Sequence, residues 1–240
     1  MTPFLGSLSF YFLVPAVAFA LGGSIAIFRP PETKVNSAVQ HLAAGLIFAA
    51  VAVELLPEEK GRRPLAVIIG FGLGTVVMLL LEWLIEKTGR SEHDAGLGGM
   101  SMAIFVAVDI VIDGVLIGLA FTLGSKQGLL ITSAMSIEFL SLGMTTLASL
   151  QETGMSRKEQ LGTAFGLAIL PLIGVVAGVA GLRGMADIGI SLLIAFAIAA
   201  LLYLVTEELL TEAHKYGDTR FGAAMFFAGF LLMFVIDMAT

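Results

Sequence analysis

The chain reads as an all-α membrane protein of eight transmembrane helices, and three observations predict it. Hydrophobic residues fill 58% of its 240 positions and charged residues 13%, with a mean hydropathy of +0.97. Soluble domains stay near an apolar share of about 45–50%. The apolar residues gather into runs of about 20, the length a helix needs to cross about 30 Å of hydrocarbon. Every break between runs is short, so residues 1–240 are expected to form a single transmembrane domain without a separate soluble part.

In order, the expected spans are residues 4–28, 36–57, 64–86, 99–123, 127–150, 160–182, 186–213 and 220–239. The first, PFLGSLSFYFLVPAVAFALGGSIAIF, has no basic segment before it and is too long for a signal core, so it reads as a spanning helix. The longest break, EKTGRSEHDAGLGG, separates the third and fourth spans. Gly89, Gly96, Gly98 and Gly99 make it a mobile loop by expectation, with Glu92, His93 and Asp94 as a solvated polar cluster.

Charge sets the orientation and excludes one class of partner. With the N-terminus outside, the inner loops hold Arg29, Lys34, Lys87, Arg90, Arg157, Lys158, Lys215 and Arg220, against Lys60, Arg62, Arg63, Lys126 and Arg183 outside. Short-loop Lys and Arg favour the cytoplasm, so both termini are expected outside. The net charge of −6 carries no basic stripe for nucleic acid. The chain has no cysteine, which excludes disulfides and thiolate metal sites. Short loops and the lack of a targeting segment lean toward a prokaryotic inner membrane, with the lipid bilayer as the first partner.

A weak repeat relates two spans. VAVELLPEEK closes the second and VTEELLTEAHK the seventh, so that Glu54-Leu-Leu-x-Glu58 matches Glu208-Leu-Leu-x-Glu212. Among eight spans those helices run in opposite directions. Opposed repeats flanking a central helix pair are a recurring plan of secondary transporters, with the site where the halves meet. That plan puts the fourth and fifth spans at the centre.

Those two spans carry the acids. Asp109 and Asp113 in FVAVDIVIDGVLIGLAF stand one helical turn apart on one face, and Glu138 lies in MSIEFLSLGM. An ionised acid at mid-bilayer costs about 3 kcal/mol, so acids kept there usually face a protein interior, a water path or a cation. Three convergent carboxylates make a hard oxygen site that suits Mg, Mn or Fe(II) at least as well as zinc. The plainer alternative is a set of protonated, hydrogen-bonded acids that fix helix packing, for which Gly114 and Gly118 already offer a small-xxx-small contact.

Weaker candidates surround them. Ser136, Ser141 and Thr145 offer neutral oxygens or ordinary interhelical hydrogen bonds. Met135 and Met144 are soft ligands or packing filler. His41, at the start of HLAAGLIFAAVAVELLPEE, reads as a gating ligand, a proton carrier or a hydrogen-bonded helix-start histidine. Glu54 and Glu207 either pass ions or protons to the site or snorkel toward the interface. Gly114, Gly118, Gly143 and Pro171 read as helix hinges.

Together these segments resemble the ZIP (zinc-regulated, iron-regulated transporter-like) family of divalent-metal transporters. The resemblance runs through most of the chain: HLAAGLIFAAVAVELLPEE, DIVIDGVLIGLA, the Gly154–Glu159 turn GMSRKE and AFAIAALLYLVTEELLTEAHK. The family's fourth helix carries His-Asn-x-x-Glu-Gly, which places Asp109 at the histidine, Ile110 at the asparagine and Asp113 at the glutamate. Its fifth-helix motif keeps Glu138 alone, at either the first or the second ligand place. The sixth-helix Glu before proline is replaced by Leu170 ahead of Pro171.

The resemblance implies a 3+2+3 helix arrangement with an inverted repeat and metal movement toward the cytoplasm by an elevator or rocking motion, often as a homodimer. The departures from the family's ligands point to one ion on Asp109, Asp113 and Glu138 in place of an adjacent metal pair, with selectivity loosened toward Mn(II), Fe(II) or Mg(II) where carboxylate replaces imidazole. The divalent ion is substrate, and no cofactor is expected. Two rivals stand beside this reading: a non-transporting homologue serving as metal sensor or assembly protein, and an intramembrane aspartyl hydrolase. The hydrolase lacks support, since both aspartates share one helix and no Gly-x-Gly-Asp or His-Glu-x-x-His motif occurs.

Overall fold

The structure, a computed structural model, describes residues 2–29, 32–89, 98–181, 186–214 and 220–239. Glu92, His93, Asp94 and Gly96 lie outside the described residues. All regular elements among the described residues are helical. Helix α1 is Thr2–Phe28. Helix α2 runs over Thr33–Ala50, widens into a π-helical turn at Val51–Leu55 and ends with Leu56–Glu58. Helices α3 to α6 are Pro64–Gly89, Gly98–Leu123, Ser125–Glu152 and Arg157–Gly181. Helix α7 runs over Asp187–Tyr203, a π turn at Leu204–Leu209 and Leu210–His214, and α8 is Arg220–Ala239.

Seven helices, α2 to α8, are long and apolar enough to cross a membrane, while the described apolar stretch of α1, Leu13–Phe28, is shorter. The outer faces carry Leu65, Ile68, Trp83, Phe221, Phe227 and Met238 in the open. Such a surface suits hydrocarbon and not water. The chain is an integral, multi-pass membrane protein.

The helices pack as two bundles. The pairs α1–α5 and α4–α6 join through α1–α6 and α4–α5 into one bundle. The pairs α2–α8 and α3–α7 join through α2 and the end of α7 into the other, and α2–α5 is the principal contact between them. In lipid such contacts rest on close van der Waals approach, which small residues permit. A Cβ at Gly114 would run into the Pro171 carbonyl oxygen, one at Gly174 into that of Val111, and one at Gly143 into that of Phe19. Gly45 against Phe226 and Gly70 against Leu192 do the same in the second bundle.

These contacts give the expected hinge positions a packing role. Gly114, Gly118 and Gly143, with Pro171 facing Gly114, lie in seams where backbones touch, leaving no room for a side chain. They fix the helix pairs of each bundle. The two π turns carry the ends of the sequence repeat, with Glu54 in one and Glu208 in the other. A π turn inserts one residue into the helical phase and recurs at functional sites.

Candidate metal centre

Four carboxyls come within electrostatic reach of one another where the bundles face each other. Helix α4 supplies Asp109 and Asp113, α5 supplies Glu138 and the π turn of α7 supplies Glu208. Asp113 and Glu138 are each 2% exposed, and Asp109 is half-buried. Asp113 experiences repulsion from Asp109, Glu138 and Glu208, and Glu138 from Asp109 and Glu208. Glu208 also feels Glu82. Asp113 Oδ2 and Glu138 Oε2 are buried without a protein hydrogen-bond partner. Among the described residues, the ion pairs reach none of the four. Buried acids without counter-charge are costly, so such a group requires a cation or protons to neutralise it.

Two cavities of about 410 Å³ lead to this group. One, between α3, α4 and α7, is walled by Met78, Leu81, Ile112 and Tyr203 and reaches Asp109 and Glu208. The Tyr203 hydroxyl donates to Glu82 Oε2 there at 2.5 Å. The other, between α2, α5 and α7, reaches Glu138 and Glu208 past Gln40, Ser141 and Thr146. Gln40 Oε1 and Thr146 Oγ1 are buried oxygens without a protein partner. The cavities share Val106, Glu207 and Glu208. Glu208 is therefore open to both, while Asp113 sits behind.

The opposite half is closed. There the space shrinks to about 10 Å³ among Leu55, Leu116, Leu119, Ile131, Ile194 and Leu201. One end of the carboxylate group is accessible and the other sealed.

The remaining candidates separate. Ser136 Oγ donates to Thr132 O at 2.6 Å, and Thr145 Oγ1 to Ser141 O at 3.2 Å, so both hydroxyls serve their own helix. Ser141 Oγ donates across the bundles to Asn36 Oδ1 at 3.5 Å. Met135 is fully buried in the core, and Met144 is buried as well. His41 lies apart from the carboxylates: its Nδ1 bonds Ser37 O at 2.8 Å, and its ring meets that of His214 edge-on at 5.2 Å. Glu54 belongs to the sealed half, 3.4 Å from Lys126 Nζ.

Glu207 is exposed and Glu208 turns inward. Sequence reasoning proposed Glu207 and missed Glu208, although the Glu54–Glu208 correspondence of the repeat marked it. The acids share a neighbourhood without closing into a chelate: among the described residues, no three His, Cys, Asp or Glu side chains stand as a metal-holding set.

No protein-family model matches the chain. It is similar to the zinc transporter ZIPB of Bordetella bronchiseptica, 27% identical over 244 residues covering 92% of this chain and 77% of that protein.

Proposed function

We propose that this chain, a member of the ZIP family, carries divalent metal ions across the membrane toward the cytoplasm by alternating access between its two bundles. What carries the reading is the group Asp109, Asp113, Glu138 and Glu208: carboxylates without counter-charge, at the bundle interface, at the end of open cavities. A divalent cation supplies the missing charge. Three of the acids ride on the bundle of α1, α4, α5 and α6, and Glu208 on the other. Sliding one bundle past the other changes which side the group faces, in keeping with eight spanning helices in a 3+2+3 inverted repeat.

With both termini outside, the cavities face the cytoplasm and the apolar seal faces out, so this conformer is inward-open. Loading needs deprotonated acids, and protonation from the inner side assists release. An all-carboxylate group without imidazole favours Mn(II), Fe(II) or Mg(II) over zinc. A prokaryotic inner membrane and a homodimer complete the proposal.

One observation favours a second reading, a non-transporting homologue: the acids do not stand as a preformed three-ligand set. Saturable metal uptake by the wild type separates the two, and paired variants then test the site. Glu208→Gln is expected to lower metal uptake into proteoliposomes by on the order of tenfold or more, the scale of one lost charge-assisted contact. Glu207→Gln, exposed at the cavity rim, is expected to change it by less than about threefold. Equal effects of the two substitutions would remove Glu208 from the site.

A further inference from the structure

An ion-pair network joins the two bundles on the sealed half. Lys126 opens α5, in the bundle of α1, α4, α5 and α6. Its ammonium lies 2.7 Å from Asp237 Oδ1 and 3.4 Å from Glu54 Oε1, and donates to the Asp237 carbonyl oxygen at 3.2 Å. Glu54 sits in the π turn of α2 and Asp237 near the end of α8, both in the other bundle. Beside them Gln127 Nε2 of α5 donates to Glu58 Oε1 of α2 at 3.5 Å. The Glu54 side chain is 5% exposed and its carboxyl meets both the ammonium and the Asp237 carboxyl, so the ammonium neutralises two adjoining acids taken out of water. Helix α8 touches α5 only slightly otherwise, which makes Lys126 its main tie to that bundle.

We propose that Lys126 is a conformational latch: its ammonium bridges Glu54 and Asp237 across the bundle interface and holds the apolar seal shut while the opposite cavities stand open. The network spans surfaces that must part if the seal is to open, so its contacts exist in one conformer and not in the other. A contact present in one state shifts the equilibrium toward that state by its differential free energy. Without the ammonium, Glu54 is a buried acid against a second carboxyl, Asp237, in the sealed conformer but reaches water in the opened one. Loss of Lys126 therefore favours opening on its side. The proposal rests on the alternating-access reading only in requiring a second conformer.

The chain has no native cysteine, so single introduced ones report each side. In nanodiscs, where both faces are accessible, Leu119→Cys reports the seal and Ser149→Cys the cavity, read by reaction with a charged thiol reagent. Lys126→Met is expected to raise the labelling rate at Leu119→Cys by roughly tenfold, the shift that 1.4 kcal/mol produces, and to lower it at Ser149→Cys. Lys126→Glu combined with Asp237→Lys should return both rates toward the original, whereas Lys126→Glu alone should not. If Lys126→Met fails to fold, Asp237→Asn is expected to give a smaller shift of the same sign. Unchanged labelling at Leu119→Cys in the folded variants overturns the latch. Metal flux measured on the same protein without introduced cysteines tests transport separately: a labelling shift without flux keeps the latch and removes the transporter.

Discussion

Asp113→Asn is expected to cost metal binding and uptake on the order of 10- to 100-fold while leaving the metal-free protein more stable. Asp113 is buried, has an oxygen without a protein partner and faces Asp109, Glu138 and Glu208. A charge-assisted contact contributes about 1.5–3 kcal/mol, which sets that range. The amide keeps shape and volume and removes one member of a mutually repelling group. Relief of about 1 kcal/mol corresponds to a melting temperature higher by about 2–4 °C for a chain of this size. Sites held against stability in this way are the expected cost of function. Uptake and thermal unfolding of one preparation check both parts. A drop in melting temperature with uptake intact would make Asp113 a hydrogen-bonded packing acid.

Gly114→Val is expected to lose about 2–3 kcal/mol of stability through overpacking of the α4–α6 seam, together with uptake. An added Cβ meets the Pro171 carbonyl oxygen and comes within 2.9 Å of Gly174 Cα, both backbone atoms that cannot turn aside. Helix α4 must move away, and it carries Asp109 and Asp113 with it. Gly162→Ala in α6 is the control, because a Cβ there meets nothing within 4 Å. It should hold or gain up to about 1 kcal/mol from helix propensity. Thermal unfolding of both variants in the same detergent reads the contrast, and equal melting temperatures would mean that the seam is not tightly packed.

The all-helical class was legible because hydropathy acts over whole runs, and each of the seven apolar helices lies under one expected span. The glycine seams were legible as small-residue spacing, but the spacing also suited hinges. Only the facing carbonyls of Pro171, Val111 and Phe19 decide for close approach. The choice between Glu207 and Glu208 was legible in the repeat but not in helical periodicity. Adjacent residues point about 100° apart on a helix, and the π turn at Leu204–Leu209 resets the phase by one residue, so regular periodicity misplaces both.

The hydroxyls of Ser136 and Thr145 face a similar ambiguity. A serine or threonine in a membrane helix bonds its own i−4 carbonyl or a neighbour with little difference in sequence. Lys126 entered the sequence reading only as a loop charge, because its partners, Glu54 and Asp237, are 72 and 111 residues away in the chain and meet it only after α2 and α8 pair.

The most direct test is uptake of Mn(II), Fe(II), Zn(II), Co(II), Cd(II) and Mg(II) into proteoliposomes by the wild type and by Asp109→Ala combined with Asp113→Ala. Saturable flux, with Mn(II) or Fe(II) at or above Zn(II) and lost in the double variant, is the expected result. No flux of any ion from folded protein, or flux unchanged in the double variant, would contradict a carboxylate-held divalent ion as the transported species.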